Sequence, residues 1–169
     1  MNYDDLIKSW HMKAQTEGDY FIKFVFEYLS LIAYLNKRNY HNETDRRLIQ
    51  ELKRNQDVRS LYLGSVNNRT IKELIEVLDT KPIENVTNPN DKWWDCDSDS
   101  CLHTESENDG KIRNEKDFSN IIEFVYRARN NLFHGEKGPE IERDRIIVKH
   151  GFEILKPLMD ILIKESEER

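Results

Sequence analysis

The chain has 169 residues, of which 37% are hydrophobic and 34% are charged, and it contains only six glycines and four prolines. No apolar run approaches the roughly 20 residues that cross a bilayer, which excludes a membrane-spanning protein, and two cysteines cannot build a disulfide framework. The formal charge of −6 argues against a protein that coats nucleic acid through a generally basic surface. Because the start of the sequence lacks a secretory signal, we expect a cytoplasmic protein with a single domain over residues 1–169.

The first predicted helix covers residues 20–36, where apolar residues recur at helical spacing on more than one face. A helix of this kind is expected in the centre of a bundle. A polar amphipathic stretch follows from Asn42, and a further apolar turn ends at Gly64. Thr70 and Glu73 have the spacing of a capping box, which predicts that the next helix begins immediately after Thr70.

Residues 80–116 have no sustained period and predict a long loop. Cys96, Cys101 and His103 lie in this segment, but they lack a fourth zinc ligand at any usual spacing. Alternating aspartates resemble the start of a calcium loop, yet its glycine and its bidentate glutamate are missing. Two adjacent tryptophans are expected to fold the loop back onto the body rather than to stack on bases. We therefore predict no metal and no cofactor.

Helical periodicity resumes after Asp117, a predicted N-cap, and runs to Gly135, a predicted C′ residue. A last helix from about Glu140 is expected to kink at Pro157. No segment alternates as a strand does. The sequence therefore predicts an all-α fold, a bundle of about five helices with a long acidic loop inserted before the helix that ends near Gly135.

The segment that ends this helix, residues 129–135 with the sequence RNNLFHG, carries the candidate chemistry. At about 100° per residue, Arg129 lies about 40° from Val125, the middle of the apolar stripe. A buried guanidinium without a partner is strongly unfavourable, so we expect Arg129 to meet a carboxylate, a subunit interface or a ligand phosphate. Arg127 falls on the opposite, polar face and is expected in solvent.

Asn130 has a proposed role toward His134, whereas His134 and Arg129 also have interpretations without catalysis. Asn130 precedes His134 by four residues, so its amide is expected to orient the imidazole for proton transfer. His134 next to a glycine is equally expected in an ordinary helix C-cap. Arg129 is about as readily explained by an intramolecular salt bridge to the last helix, with Asp144 as the candidate. The remaining histidines His11, His41 and His103 are interpreted as surface residues.

Arg129-Asn130 followed by Phe133-His134-Gly135 resembles the signature of HEPN domains, in which an arginine, a polar residue and a later histidine form a metal-independent ribonuclease site. The bulky helix over residues 20–36 and the Arg143-Asp144-Arg145 start of a long last helix are similar to Apea-like HEPN proteins. The resemblance covers most of the chain apart from residues 80–116.

A second arginine and histidine at permitted spacing, Arg145 and His150, resemble the signature less well. Ile146 stands where the family has a polar residue. The resemblance therefore favours the pair on the earlier helix.

The resemblance implies an endoribonuclease that cuts single-stranded RNA by attack of its own 2′-hydroxyl. Arg129 would stabilise the scissile phosphate, His134 would transfer protons and Asn130 would orient His134, which suits the chemistry of these side chains. It also implies a homodimer with a composite active site, a toxin or defence context, and a nucleotidyltransferase-like antitoxin as partner. The alternative is an inactive HEPN-like module that binds a nucleotide, RNA or another protein.

The negative charge is concentrated in one part of the chain. Residues 84–110 contain eight acidic residues and one lysine, a net charge of −7, which leaves +1 for all other residues. Cationic residues cluster by sequence around the motif, and we predict RNA contacts from Arg127, Lys137, Arg143 and Arg145. The acidic balance of the whole chain therefore does not argue against binding to RNA.

Overall fold

A computed structural model describes residues 2–38, 43–83, 111–135 and 138–168. The described residues form seven α-helices and no strand, which confirms the predicted all-α class with two helices more than the approximate number expected. The helices are α1 (Tyr3–Thr16), α2 (Tyr20–Arg38), α3 (Asp45–Arg54), α4 (Gln56–Ser65), α5 (Asn68–Thr80), α6 (Phe118–Phe133) and α7 (Glu142–Glu167). Buried apolar side chains from all seven helices belong to one core.

Two helices organise the bundle. α2 packs against α1 and α7, while α7 also contacts α1, α4, α5 and α6. α3 packs mainly against α6. The prediction of a central helix over residues 20–36 is therefore confirmed, and the helix continues to Arg38.

Asparagine side chains cap the N-terminal ends of several helices. Asn55 ends α3 and caps α4, and its side chain accepts a hydrogen bond from the Val58 amide at 3.1 Å. Asn67 caps α5 in the same way by accepting from the Arg69 amide at 3.0 Å. The capping box predicted at Thr70 is therefore wrong by one turn, because an asparagine three residues earlier satisfies the first free amides.

α1 is absent from the sequence-based prediction, although its apolar residues are spaced as on one face of a helix: Tyr3, Leu6, Ile7, Trp10 and Ala14. The charged residues between these apolar residues make the helical periodicity difficult to recognise in the sequence. α1 is held on α2 by burial of Ile7 and by the Ser30 hydroxyl, which donates to the Ile7 carbonyl at 2.8 Å.

The interpretation of His11 as a surface residue is wrong. Its ring lies between α1, α2 and α7, with Nδ1 at 2.8 Å from Glu27 Oε1 and Nε2 at 3.2 Å from Asp160 Oδ1. The hydrogen bond to Glu27 raises the pKa of His11, and burial raises the pKa of Glu27. His11 thus joins three helices.

α7 runs without interruption through Pro157, so this proline does not end the helix. Gly151 lets α7 lie close to Phe24 of α2, because a β-carbon at this position would lie 2.6 Å from the Phe24 ring. None of the described helices is long and apolar enough to cross a membrane.

Most of the predicted loop lies outside the described residues. This applies to Cys96, Cys101 and His103, to the alternating aspartates and to both adjacent tryptophans. His41 and Lys137 also lie outside them. At the two edges of this stretch Ile83 and Ile112 are both buried in the core.

Candidate functional site

The last turn of α6 presents the motif at the surface. Asp117 occupies the predicted N-cap position of this helix, and its carboxylate accepts from the Asn120 side-chain amide at 2.7 and 2.8 Å. At the other end His134 is the C-cap residue and is exposed. Gly135 follows with φ of +74°, a conformation that glycine adopts readily, as predicted for a C′ residue.

Arg129 is held between two rings and a carboxylate. Its guanidinium carbon lies 5.3 Å from the centre of the Tyr28 ring and 4.7 Å from that of Phe133. Nη2 lies 3.1 Å from Asp45 Oδ2 at the start of α3. The Arg129 side chain keeps 29% of its surface exposed, so the guanidinium remains within reach of solvent.

The carboxylate that Arg129 meets is not the predicted one. Asp144 accepts a hydrogen bond from the Gly138 amide at 2.9 Å, in the turn between α6 and α7. Asp45 takes the place of Asp144 because α3, rather than α7, packs beside this face of α6. Helical spacing within α6 carries no information about which neighbouring helix supplies the acid.

Asn130 contacts Arg129 instead of His134. Its side-chain oxygen accepts from Arg129 Nη1 at 2.9 Å. The orienting role of this amide toward the imidazole stays a prediction, since the contact seen among the described residues is the one with Arg129. Asn130 helps to fix the plane of the guanidinium next to it in sequence.

The prediction that Arg127 is a solvated charge is also wrong. Arg127 is 4% exposed, and its Nε donates to Glu123 Oε1 at 2.8 Å, one turn earlier on α6. Glu123 is fully buried and also binds Lys53 and, at 2.6 and 2.8 Å, Arg46 from α3. Arg127 thus belongs to a buried ion cluster that joins α3 to α6.

The pKa of Glu123 reflects this cluster. Burial alone raises the pKa of a carboxyl group, but Lys53, Arg46 and Arg127 outweigh it and hold the pKa of Glu123 below its ordinary value. The carboxylate is therefore ionised at neutral pH. It fixes α3, and with it Asp45, beside the end of α6.

The remaining residues predicted to contact RNA are separated by the fold. Arg143 donates to the carbonyl groups of Val77, at 3.5 Å, and Lys81, so it caps the C-terminal end of α5. Arg145 is exposed at the start of α7. His150, the partner in the less similar motif, is buried, and its Nδ1 lies 2.8 Å from the Ile146 carbonyl.

Two residues of the site have no counterpart in the sequence-based prediction. Tyr28 comes from the central helix and Asp45 from the first position of α3. Both are far from the motif in sequence, and no local pattern indicates their position beside Arg129. Among the described residues, no group of three or more His, Cys, Asp or Glu side chains is placed to hold a metal ion.

No family model, curated protein or solved structure matches the chain. The resemblance to HEPN domains therefore stays an expectation from the sequence. The geometry adds one surface-accessible arginine and one exposed histidine at the same end of α6, with a carboxylate, an amide and two aromatic rings around the arginine.

Proposed function

We propose that the protein is a metal-independent endoribonuclease of the HEPN type that cuts single-stranded RNA. The observation that carries this proposal is the position of Arg129 and His134 on the last turn of α6 and its C-cap, both accessible from solvent. An accessible cation that can grip phosphate and an accessible imidazole are the two groups that the reaction needs.

In the proposed reaction the 2′-oxygen of a ribose attacks the adjacent phosphorus and the bond to the 5′-oxygen breaks. One proton leaves the 2′-hydroxyl and one is delivered to the departing 5′-oxygen, so the products are a 2′,3′-cyclic phosphate and a 5′-hydroxyl. His134 transfers protons and Arg129 stabilises charge on the phosphate. Asn130 holds the Arg129 guanidinium, and its role toward His134 stays a prediction.

The proposed active unit is a homodimer. The motif of one chain supplies one arginine and one histidine, whereas the two proton transfers suit two imidazoles in a shared cleft. Phe133, beside His134, is 55% exposed, and Ile141, just before α7, is 54% exposed. Exposed apolar side chains next to the motif support contact with a second copy there.

We further propose a toxin or defence context in the cytoplasm, where single-stranded RNA is accessible. The expected partner is a nucleotidyltransferase-like antitoxin, by resemblance to other HEPN proteins. Co-expression with a neighbouring gene product of that class should relieve growth inhibition caused by this protein. Equal growth inhibition with and without it would contradict the partner.

The decisive test is cleavage of a labelled single-stranded RNA by purified Arg129→Ala and His134→Ala proteins. We expect at least about a 100-fold loss of rate in each, the usual size of a lost acid–base or phosphate contact. Arg69→Ala is the matched control, because Arg69 is an 83% exposed arginine at the start of α5 paired with Glu73. Parent-like cleavage by folded Arg129→Ala and His134→Ala proteins would rule out the proposal.

One observation favours the alternative, an inactive module that binds RNA, a nucleotide or a protein. Arg129 already binds Asp45 and Asn130, and the amide of Asn130 is engaged away from His134. A phosphate must therefore displace or share these contacts. Tight RNA binding that Arg129→Ala abolishes, with no cleavage products from the parent protein, would establish the module.

A further inference from the structure

Tyr28 carries a buried hydroxyl group without a hydrogen-bond partner among the described residues. The residue is 2% exposed on the central helix α2. Tyr62, another buried tyrosine, has a partner, because its hydroxyl donates to the Ile154 carbonyl at 3.3 Å. Buried hydroxyl groups in proteins are nearly always paired, so the exception at Tyr28 needs a physical reason.

A second orphaned donor belongs to the side chain in contact with Tyr28. Arg129 Nε is buried and has no acceptor among the described residues, whereas Nη1 and Nη2 of the same guanidinium bind Asn130 and Asp45. The guanidinium carbon lies 5.3 Å from the centre of the Tyr28 ring. Two side chains in contact with each other therefore each have one buried donor without an acceptor among the described residues.

The Tyr28 hydroxyl is a donor at neutral pH. Burial raises the pKa of this phenol, the charge of Asp45 raises it further, and Arg129 opposes the shift only in part. The phenol therefore stays protonated. An N–H and an O–H group together suit an oxygen that carries negative charge and has several lone pairs.

The Asp45 carboxylate already supplies a negatively charged oxygen to the accessible edge of the Arg129 guanidinium. This carboxylate lies 3.1 Å from Arg129 Nη2, and the two side chains are 32% and 29% exposed. The accessible edge of the guanidinium thus binds an anion of the chain itself. A phosphoryl group that replaces the Asp45 carboxylate there can extend a second oxygen inward, toward the unused donors.

We propose that the Tyr28 hydroxyl and Arg129 Nε bind one non-bridging oxygen of a phosphoryl group, with Asp45 as the carboxylate that the group displaces. This inference rests on the proposed function, because it names the phosphate-binding position of the same site. It adds Tyr28, from a helix that carries no part of the motif. It also gives Asp45 the role of a competing anion.

The test is a titration of the full-length protein with inorganic phosphate, followed through the Arg129 Nε–H resonance by NMR. We expect Tyr28→Phe to weaken phosphate binding about tenfold, the effect of one hydrogen bond to a charged group. Tyr62→Phe is the matched control and should leave phosphate affinity unchanged. Tyr28→Phe keeps the ring and removes only an unpaired hydroxyl, so its melting temperature should not fall, whereas that of Tyr62→Phe should.

Asp45→Asn provides the second measurement, since it removes the competing charge and keeps the shape of the side chain. It should tighten phosphate binding about tenfold relative to the parent at equal ionic strength. Unchanged phosphate affinity in Tyr28→Phe, unchanged affinity in Asp45→Asn, or no saturable binding by the parent would each overturn the inference. If these results hold but the parent does not cleave RNA, the phosphate site stands and the ribonuclease proposal fails.

Discussion

Glu123 is the residue on which the ion cluster between α3 and α6 depends. It is fully buried, and it binds Arg46, Lys53 and Arg127. Replacing it by glutamine leaves these cations around a neutral amide, so we expect Glu123→Gln to lower the free energy of unfolding by about 3–5 kcal/mol. Urea denaturation monitored by circular dichroism measures the change.

Glu76→Gln is the matched control, because Glu76 is exposed on α5, and it should change stability by less than about 0.5 kcal/mol. The effect of Glu123→Gln should also depend on pH. Because the folded-state pKa of Glu123 is lowered, its stabilising effect is fully present above the ordinary carboxyl pKa. It is lost as pH falls through the lowered value. A gap between parent and variant that is constant down to pH 2 would contradict this assignment.

The positions of the two arginines of α6 could be predicted only in part from the sequence. A helical wheel correctly places Arg129 near the core and in need of a partner. It places Arg127 in solvent, although Arg127 is buried against Glu123. The wheel assumes one buried face, whereas α6 packs against both α7 and α3. The four-residue spacing of Glu123 and Arg127 is the local signal that points to their pairing.

At the scale of elements, periodicity found the helices whose apolar residues are dense. α2 and α6 follow directly from their sequences, and α6 begins after the predicted Asp117. α1 needed its sparse apolar residues to be counted at helical spacing, with the N-cap at Asn2 as a further signal. The position of α3 beside the motif follows only from long-range packing, so Asp45 could not be predicted.

The contact between α2 and α7 depends on a glycine. A β-carbon at Gly151 would lie 2.6 Å from the ring of Phe24, which is fully buried. We expect Gly151→Ala to destabilise the protein by about 1–3 kcal/mol. Thermal unfolding at constant pH checks the direction.

Gly64 offers the matched comparison within a helix. An added β-carbon meets nothing within 4 Å at this position of α4. Gly64→Ala should therefore stabilise the protein by about 0.5–1 kcal/mol through helix propensity. If both substitutions change the melting temperature in the same direction, the packing of α7 on α2 differs from that described.

At the scale of the whole molecule, the proposed homodimer predicts the effect of a charge on its surface. Phe133→Asp places a carboxylate where an exposed ring lies beside His134. We expect light scattering to give a dimer for the parent and a monomer for this variant, with loss of RNA cleavage. Met12→Asp is the control, because Met12 is 66% exposed on α1. A monomeric parent, or dissociation by Met12→Asp alone, would contradict the proposed interface.

The distribution of charge also belongs to this scale. Residues 84–110 have a net charge of −7, whereas the whole chain has a formal charge of −6. The remainder of the chain therefore has a net charge of +1. The concentration of negative charge in this segment could be predicted from the sequence, because it follows from counting charged residues. Such counting could not separate cations that bind RNA from cations that bind the protein itself, since Arg127 and Arg143 both have partners inside the fold.

Arg143 and Asp144 are neighbours at the start of α7, yet they bind two different parts of the chain. Arg143 holds the carbonyl groups at the end of α5, and Asp144 holds the Gly138 amide in the turn that follows His134. Through these contacts the start of α7 connects the C-terminal end of α5 to the turn that follows the motif. Arg143 therefore ties the start of α7 to Lys81, three residues before the acidic segment begins in the sequence.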